Sequence, residues 1–231
     1  GPEGTYTHQA VDQYFSDYEP VTCSSIKESV ETADVAVIPF ENSLGGGVGE
    51  AIDILREKDL EVTGEVLVKI DHVLASGTSF EDIQKVRSHP QALSQCREMI
   101  EENGWEEVES SSTAKAAEEI GENEAAICSR LAAELNGLEI LRESVQDEKS
   151  NTTRFLVIGG EKEQNPDKTS FVLEPGDDRP GLLGSMLSCF SGHGINLSYI
   201  QSRPTRDGLG EYYFYVEAEE SEDSESMQEA V

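Results

Sequence analysis

Ser150-Asn151-Thr152-Thr153-Arg154-Phe155, running into Leu156-Val157-Ile158-Gly159-Gly160, is the stretch on which the fold of this chain depends. Its apolar part is short and ends in a glycine pair, a pattern typical of a buried strand. Two adjacent hydroxyls and an arginine lie at the mouth of that strand, where they are well placed for chemistry. The same residues also fit a purely structural role, in which Thr152 and Thr153 begin the strand and Arg154 forms a salt bridge. The rest of the chain decides between these interpretations.

The chain carries a large excess of acidic residues, 47 Asp and Glu against 17 Lys and Arg in 231 residues, and its formal charge is −30. Such a surface repels nucleic acids and anionic membranes, so we expect neither as a partner. The carboxylates lie between regularly spaced apolar residues, as in 98–102 and 118–124, which indicates solvated helix faces. We hypothesise a protein adapted to a high-salt cytoplasm, where cations screen self-repulsion over a Debye length of roughly 3 Å at 1 M salt.

The sequence has no run of about 18 apolar residues and no basic opening followed by an apolar one, so we expect a soluble, cytoplasmic protein. The cysteines are scattered without paired spacing, which favours small buried residues in a reducing cytosol over a disulfide or zinc framework. They are Cys23, Cys96, Cys128 and Cys189. We therefore expect no metal and no cofactor.

The opening Gly1-Pro2-Glu3-Gly4-Thr5 reads as a glycine-rich turn in which Thr5 caps a helix that runs through Phe15. Such a loop normally follows a strand, so we expect a short apolar strand to be missing from the start of this numbering. Farther along, Val35-Ala36-Val37-Ile38-Pro39-Phe40 is a continuous apolar run of the kind found in buried parallel strands.

The run Glu41-Asn42-Ser43-Leu44-Gly45-Gly46-Gly47-Val48-Gly49 follows that strand and leads into a helix predicted from about residue 50 to residue 58. Three polar side chains and a glycine turn at the start of a helix offer backbone N–H groups and a positive helix end to an anion. The run matches neither the dinucleotide nor the phosphate-loop pattern, and a glycine turn can also be only a turn. After the helix, residues 60–71 alternate like a strand.

The middle of the chain reads as a second α/β series. Ser88 and Gln91 form a Ser-x-x-Gln capping box, which opens a helix predicted to run to Glu102. Gln95 lies one turn beyond Gln91 on the same face, so the two amides can bind one ligand. The histidines at 72, 89 and 193 lack a paired acid or nucleophile at useful spacing and are interpreted as structural.

These elements predict two α/β lobes, the second inserted between Ile70 and Ser150. A ligand would lie in the cleft between the lobes, facing several positive helix ends, which suits a small dianion such as a dicarboxylate. The helix ends in question are those at Thr5, Gly45, Ser88 and Thr113.

The C-terminal part begins with a polar linker over 161–168. A strand is predicted at 169–173, a helix that begins at 179, and two further strands at 195–200 and 211–218. This order makes up three quarters of a ferredoxin-like βαββαβ module. Residues 221–231 would begin the second helix of that module, so the end of the module is expected to be missing. A packing domain without a ligand fits the same pattern.

Taken together, the motifs resemble those of prephenate dehydratase with a C-terminal ACT domain. The matching segments are Gly1–Thr5, Glu41-Asn42-Ser43, Ser88-His89-Pro90-Gln91-Ala92-Leu93 with Gln95-Cys96, Ser112-Thr113, Asn151-x-Thr153-Arg154-Phe155 and Asn196-Leu197-Ser198-x-Ile200-Gln201-Ser202-Arg203-Pro204. The resemblance implies an α/β fold. Its catalytic domain is like a two-lobed periplasmic binding protein and spans 1–160, with lobe 1 at 1–70 and 149–160 and lobe 2 at 71–148. A ferredoxin-like ACT domain, truncated at its end, spans 169–231.

The activity implied is a 1,4-elimination in which prephenate loses carbon dioxide and its ring hydroxyl to give phenylpyruvate and water, on the route to phenylalanine. The resemblance makes Thr153 the central catalytic residue, and Glu41 is the nearest carboxylate that can assist proton movement. The expected substrate-binding residues are Asn42, Ser43, Ser88, Gln91, Gln95, Thr5, Thr113 and Arg154.

For the C-terminal module the resemblance implies L-phenylalanine as a feedback effector, bound between paired ACT domains of a homodimer or homotetramer. The expected effector-binding residues are Gly181, Leu182, Leu183, Asn196, Leu197, Gln201, Ser202, Arg203 and Pro204. Two positions depart from the family's pattern. The family's Gly-Ala-Leu is Gly-Leu-Leu here, and its Glu-Ser-Arg-Pro begins with Gln201, which removes a carboxylate.

Two alternatives stay open at this stage. Arogenate dehydratase performs the same elimination on the amino analogue of prephenate and would share every motif. A non-enzymatic binding protein for a small anion also has two α/β lobes around a cleft, although it has no need of the Thr153 motif.

Overall fold

A computed structural model describes residues 1–162, 166–176 and 179–231 of the chain. Three residues of the predicted linker, 163–165, lie outside the described residues. The chain divides into two compact units, one made of 1–46 with 65–157 and the other of 47–64 with 158–231. The domain boundaries expected from the sequence stay a prediction.

The helices and strands alternate along most of the chain. The helices are α1 (Tyr6–Tyr14), α2 (Ile26–Thr32), α3 (Gly49–Lys58), α4 (Pro90–Gln95), α5 (Arg97–Asn103), α6 (Thr113–Glu119), α7 (Arg130–Leu135), α8 (Leu182–Gly192) and α9 (Glu225–Ala230). The strands are β1 (Ala36–Asn42), β2 (Gly46–Gly47), β3 (Val62–Lys69), β4 (His72–Ser76), β5 (Lys85–Ser88), β6 (Glu106–Glu109), β7 (Glu124–Ser129), β8 (Glu139–Arg142), β9 (Thr152–Ile158), β10 (Thr169–Leu173), β11 (Leu197–Pro204) and β12 (Tyr212–Ala218).

The strand predicted from the opening motif is β9, and it lies inside a four-stranded sheet of order β2-β1-β9-β3. Phe155 and Val157 are each 2 % exposed and pack with Ala10, Val37 and Val66. Burial of an aromatic or branched side chain contributes roughly 1.5–3 kcal/mol. The apolar run of this segment therefore holds β9 beside β1, and that pairing aligns the polar residues at the ends of the two strands.

The strands between β3 and β9 form a five-stranded sheet of order β6-β5-β7-β4-β8. Its β5 is parallel to β6 and β7, whereas β4 is antiparallel to β7 and β8. The core on one side includes Leu74, Val86, Leu93 and Ile127, all at most 2 % exposed. The predicted second α/β series is thus present as a mixed sheet with helices.

The helix predicted from Ser88 to Glu102 is two helices, α4 and α5, and the capping box is wrong. Pro90 is the first residue of α4, a position where its missing N–H costs nothing. His89 is therefore the N-cap, and its Nδ1 accepts from Gln91 N at 3.3 Å. Cys96, with φ −122° and ψ 26°, separates the two helices.

The C-terminal module forms a three-stranded antiparallel sheet of order β10-β12-β11. Phe190 of α8 and Met227 of α9 pack with Ile195 and Ala218 into a separate core. The strand, helix, strand, strand order predicted from the sequence is the order observed.

Candidate functional site

The ends of β1 and β9 place Asn42 beside Thr153. Asn42 Nδ2 donates to Thr153 Oγ1 at 2.9 Å and to Asn151 Oδ1 at 2.7 Å. Asn151 is fully buried and Thr153 is 9 % exposed. Two strands that are neighbours in one sheet thus bring together residues that are 111 positions apart in the chain.

Gln95 joins this group from the last residue of α4. Asn151 Nδ2 donates to Gln95 Oε1 at 3.0 Å, and the backbone carbonyl of Gln95 accepts from Asp147 N at 2.7 Å. The break at Cys96 leaves that carbonyl free of the i+4 bond it would have in a continuous helix. The structure therefore brings Asn42, Gln95 and Thr153 into one hydrogen-bonded cluster through Asn151.

His72 and Tyr6 extend the cluster on the far side of Gln95. His72 Nε2 lies 3.2 Å from Gln95 Oε1, and its Nδ1 lies 2.9 Å from the Tyr6 hydroxyl, which is also 2.8 Å from the carbonyl oxygen of Asp71. Burial lowers the pKa of His72, against the opposing effects of the Gln95 contact and the Asp71 charge. Burial also raises the pKa of Tyr6. Sequence reasoning took His72 to be isolated, since neither partner lies near it in the chain.

The loop after β1 differs from the expected anion site. The N–H groups of Leu44 and Gly45 donate to Asn42 Oδ1 at 3.0 and 2.8 Å. An Asn side chain commonly closes such a turn on its own backbone. The glycine loop therefore uses these two donors internally and does not offer them to a ligand, and α3 begins only at Gly49 after an N-cap that makes no side-chain bond.

Ser43 and Gln91 lie next to this loop. Ser43 Oγ donates to the Ser150 carbonyl at 3.1 Å and accepts from Thr152 N at 3.0 Å, so it links the loop to the start of β9. A Cβ on Gly45 would lie 2.8 Å from Gln91 Nε2, which places the Gln91 amide against the loop. Their roles as ligands to substrate stay predictions.

Glu41 and Arg154 pair with each other. Arg154 Nη2 lies 3.1 Å from Glu41 Oε2, and Arg154 Nη1 lies 3.1 Å from Glu65 Oε2. Successive residues of a strand point to opposite faces, so Arg154 points away from the face that carries Thr153. The salt bridge considered for Arg154 is thus present. The catalytic role of Glu41 and the binding role of Arg154 stay predictions.

The remaining residues expected to bind substrate make local bonds. The Thr5 hydroxyl donates to the Pro2 carbonyl at 2.7 Å and accepts from His8 N at 3.3 Å, which confirms it as the cap of α1. The Ser88 hydroxyl is fully buried and donates to the Ile127 carbonyl at 2.5 Å. Thr113 is the first residue of α6, whose N-cap is Ser112. Among the described residues, no hydrogen bond joins these three to the cluster around Thr153.

Arg203, expected to bind effector, pairs with a residue of α3. Arg203 Nε and Nη2 donate to the Asp53 carboxylate at 2.9 and 2.7 Å, and Arg206 Nη2 and the Tyr213 hydroxyl donate to it at 2.8 and 2.6 Å. The hydrogen bond from Arg203 lowers the pKa of Asp53, while burial raises the pKa of Tyr213 to about 12. The carboxylate therefore stays ionised and joins three residues of the β-rich module to α3.

The other residues expected to bind effector lie on α8 and β11. Gly181, with φ 83°, is the N-cap of α8, which Leu182 and Leu183 begin. Asn196 Nδ2 donates to Glu219 Oε2 at 2.6 Å, and Gln201 Oε1 accepts from the Tyr199 hydroxyl at 2.5 Å. The positions on β11 are Leu197, Gln201, Ser202, Arg203 and Pro204. Their roles stay predictions.

Over the described part of the chain, no helix is long and apolar enough to cross a bilayer, and no group of three or more His, Cys, Asp or Glu side chains is placed to hold a metal ion. A cavity of about 470 Å³ is lined by other residues, among them His8, Tyr18, Cys23 and Val35. The candidate site is thus the amide and hydroxyl cluster.

The fold and the cluster define a mixed α/β protein with a polar site for a small ligand, followed by a separate β-rich module. Two family profiles match the chain, "Prephenate dehydratase" over residues 1–163 and "ACT domain" over residues 176–231. The chain therefore belongs to the prephenate dehydratase family and carries a C-terminal ACT domain.

Relatives of known identity agree with this assignment. The chain is 39 % identical to the bifunctional chorismate mutase/prephenate dehydratase of Aquifex aeolicus, over 100 % of the chain and 67 % of that protein. It is 38 % identical to the prephenate dehydratase of Methanocaldococcus jannaschii, over 96 % of the chain and 87 % of that protein. The crystal structure of a prephenate dehydratase from Arthrobacter aurescens in complex with L-Phe superposes with a TM-score of 0.91 at 34 % identity, over 100 % of this chain and 82 % of that one.

The expected activity is confirmed by this membership. The protein is a prephenate dehydratase, a carbon–oxygen lyase of phenylalanine biosynthesis. Its substrate is prephenate, which leaves no ground for the non-enzymatic interpretation.

Proposed function

We propose that the cluster around Thr153 binds prephenate and that the Thr153 hydroxyl donates to the departing ring hydroxyl. The observation that carries this proposal is the 2.9 Å contact between Asn42 Nδ2 and Thr153 Oγ1. An amide nitrogen is a donor only, so Thr153 Oγ1 is the acceptor in this contact. The hydroxyl proton of Thr153 is then free to point toward a ligand.

The same contact supplies electrostatic assistance. As hydroxide leaves the ring, the Thr153 proton shifts toward it in the transition state and negative charge develops on Oγ1. A proton from solvent then completes the product water, and Thr153 keeps its own. A donor held 2.9 Å away stabilises that charge without reorganising, because Asn42 is fixed by its bonds to the loop and to Asn151. A threonine hydroxyl is a weak acid in water, so its action as an oriented donor requires a site from which water is largely excluded. The low exposure of Thr153 meets that requirement.

The driving force comes largely from the substrate. Loss of carbon dioxide from the ring carboxylate leaves its bonding electrons to form the aromatic ring as the ring hydroxyl departs. The enzyme needs to hold two carboxylates and to assist one leaving group. We assign the holding of the substrate to donors around the cluster, and the candidates are Gln95 Nε2 and Gln91 Nε2.

The test replaces Thr153 with Ala and with Ser, and uses Thr152→Val as the matched control. Thr152 is the neighbour on β9, its side chain points to the opposite face, and its backbone bonds survive the change. We expect Thr153→Ala to lower kcat about 10²-fold to 10⁴-fold, and Thr153→Ser to retain much of the activity because it keeps the hydroxyl. Near-normal kcat in a folded Thr153→Ala variant would remove Thr153 from the mechanism.

A comparison of arogenate with prephenate as substrate tests the specificity of the site. The same elimination on arogenate yields phenylalanine, so release of phenylpyruvate and of phenylalanine from the two substrates is measured in parallel. We expect kcat/KM to favour prephenate. A higher kcat/KM for arogenate would reassign the preference of the site and leave the role of Thr153 intact.

For the whole chain we propose a two-lobed catalytic domain over 1–160 and a ferredoxin-like regulatory domain over 169–231, in a cytoplasmic homodimer or homotetramer. The strand order β10-β12-β11 is that of three strands of a ferredoxin-like sheet. The match to an ACT profile and the L-Phe complex of the Arthrobacter aurescens protein support L-phenylalanine as the effector. Calorimetric titration and inhibition kinetics with phenylalanine test the proposal, and the absence of both heat and inhibition would reject it.

A further inference from the structure

We infer that His72 is a positioning residue, which acts through Gln95 and fixes the Gln95 amide with its Nε2 donor turned toward the substrate. The inference rests on the proposed function of the cluster. It is carried by a chain of four contacts whose direction can be worked out from one end to the other.

The direction begins in the backbone. Leu44 N and Gly45 N can only donate, so the atom of Asn42 that they contact is its carbonyl oxygen. The other end of Asn42 is then the NH₂ group, which donates to Asn151. Asn151 therefore presents its oxygen to Asn42 and its own NH₂ group to Gln95. The sense of each side-chain amide follows from the one before it.

Gln95 must consequently accept through Oε1, which faces both Asn151 Nδ2 at 3.0 Å and His72 Nε2 at 3.2 Å. Two oxygen lone pairs are thereby engaged. The Nε2 group of Gln95 is left pointing away from both partners, and it has no hydrogen-bond partner among residues 1–162, 166–176 and 179–231. This is the end of the amide that can donate to an oxygen of the substrate.

The same reasoning assigns the proton on the imidazole. Because Gln95 Oε1 is an acceptor, the His72 nitrogen that faces it has to carry hydrogen, so the neutral ring is the Nε2–H tautomer. His72 Nδ1 is then an acceptor, and the single proton of the Tyr6 hydroxyl lies between it, at 2.9 Å, and the Asp71 carbonyl oxygen, at 2.8 Å. The contact with Gln95 therefore sets the tautomer, and the contact with Tyr6 is compatible with it.

The backbone of His72 is held independently of its ring. His72 N donates to Gln146 Oε1, and Val145 N donates to the His72 carbonyl, both at 2.9 Å. Replacing the side chain leaves these two bonds in place, which makes the effect of the ring on Gln95 separable from its effect on the fold.

The experiment compares His72→Gln with His72→Asn. The amide nitrogen of Gln can take the place of Nε2 and still donate to Gln95, whereas that of Asn reaches only the place of Nδ1. We expect His72→Asn to raise KM for prephenate about 10-fold to 100-fold, the effect of one hydrogen bond to a charged group, and His72→Gln to restore most of it. Equal KM values for the two variants at equal thermal stability would overturn the inference.

A double-mutant cycle tests the route through Gln95. If His72 acts on substrate through that amide, Asn at 72 adds nothing once Gln95→Ala has removed the amide. Losses that add in the double variant would overturn the inference, and so would an unchanged KM in Gln95→Ala alone. Thr153→Ala separates this outcome from failure of the proposed function, because its kcat does not depend on how Gln95 is oriented.

A spectroscopic measurement does not depend on the folding of any variant. The chain has four histidines, so ¹⁵N-histidine labelling gives a simple long-range ¹H–¹⁵N spectrum of the whole protein. We expect the buried ring to show a protonated Nε2. A ring at position 72 with hydrogen on Nδ1 alone would overturn the inference.

Discussion

Asp53 offers the sharpest test of how the ACT module is attached to α3. Its carboxylate accepts two bonds from Arg203, one from Arg206 and one from Tyr213, at 2.6 to 2.9 Å. The residue is 9 % exposed. We predict that Asp53→Asn, which keeps the shape and removes the charge, destabilises this part of the protein.

The magnitude follows from the burial of the partners. Removing one partner of a buried ion pair costs about 3–5 kcal/mol, because the other charge stays buried and unpaired. Here the side chains of Arg203 and Arg206 are 25 % and 68 % exposed, so water can reach both cations after the change. The lower end, about 3 kcal/mol, is therefore expected. For a chain of this length that corresponds to a fall in Tm of roughly 6–12 °C.

The pH dependence has a definite sign. The bonds from Arg203 lower the pKa of Asp53 in the folded protein below the value of about 3.9 that an unfolded aspartate has. A carboxylate of this kind contributes its full stabilisation above the unfolded pKa and loses it as pH falls through the folded pKa. The difference in Tm between wild type and Asp53→Asn should therefore be full at pH 7 and shrink below about pH 4.

The assay is thermal unfolding followed by circular dichroism at pH 7 and pH 3.5, in 1 M salt. Buried pairs are screened less than exposed ones, so the effect should survive that salt concentration. Glu57→Gln is the matched control, because it removes one charge from an exposed position on the same helix and should change stability by less than about 0.5 kcal/mol. An Asp53→Asn variant that melts with wild type at pH 7, or whose deficit is as large at pH 3.5, would refute the reasoning.

Three further predictions follow. Tm should rise between low and molar salt, because a formal charge of −30 repels itself when unscreened, and an unchanged Tm would contradict adaptation to salt. Ser88→Ala should lower the free energy of unfolding by about 1–3 kcal/mol, since the Ile127 carbonyl loses its donor, whereas a raised KM at normal stability would support substrate binding. Gly45→Ala should displace the flexible Gln91 amide and raise KM in prephenate assays with little change in Tm, and an unchanged KM would remove Gln91 from the site.

Local patterns predicted much of the fold. The apolar run at 35–40 and the one after Thr153 are observed as β1 and β9. A buried strand is predictable in this way because it needs several apolar residues in succession. Thr5 caps α1 as expected, because a cap depends on atoms only three residues apart. The same kind of reasoning failed at Ser88, where Pro90 moved the helix start by one residue and left the serine to bond across the sheet.

The sequence suggests three members of the candidate cluster but not the contacts that join them. The motifs indicate Asn42, Gln95 and Thr153 as site residues, whereas Asn151, which links them, is only part of the motif around Thr153 and receives no role from it. His72 looked isolated because its partners Tyr6 and Gln95 lie 66 and 23 positions away. No periodicity or spacing in one sequence reports such contacts, since they depend on how the sheet and helices pack.

The two amide hydrogens at positions 44 and 45 have a consequence for how this enzyme can evolve. Every residue type except proline provides such a hydrogen, so mutation of those positions rarely disturbs the polarity of the row of side chains that starts there. Position 42 is different. Aspartate would keep both turn bonds yet present oxygen where Asn42 now presents NH₂, and Asn151, Gln95 and the imidazole of His72 would each have to reverse in turn. Replacing one NH₂ group by an oxygen at position 42 would thus make Gln95 present its carbonyl oxygen to the substrate in place of its NH₂ group. A hydrogen-bond donor that binds anions would become an acceptor that repels them.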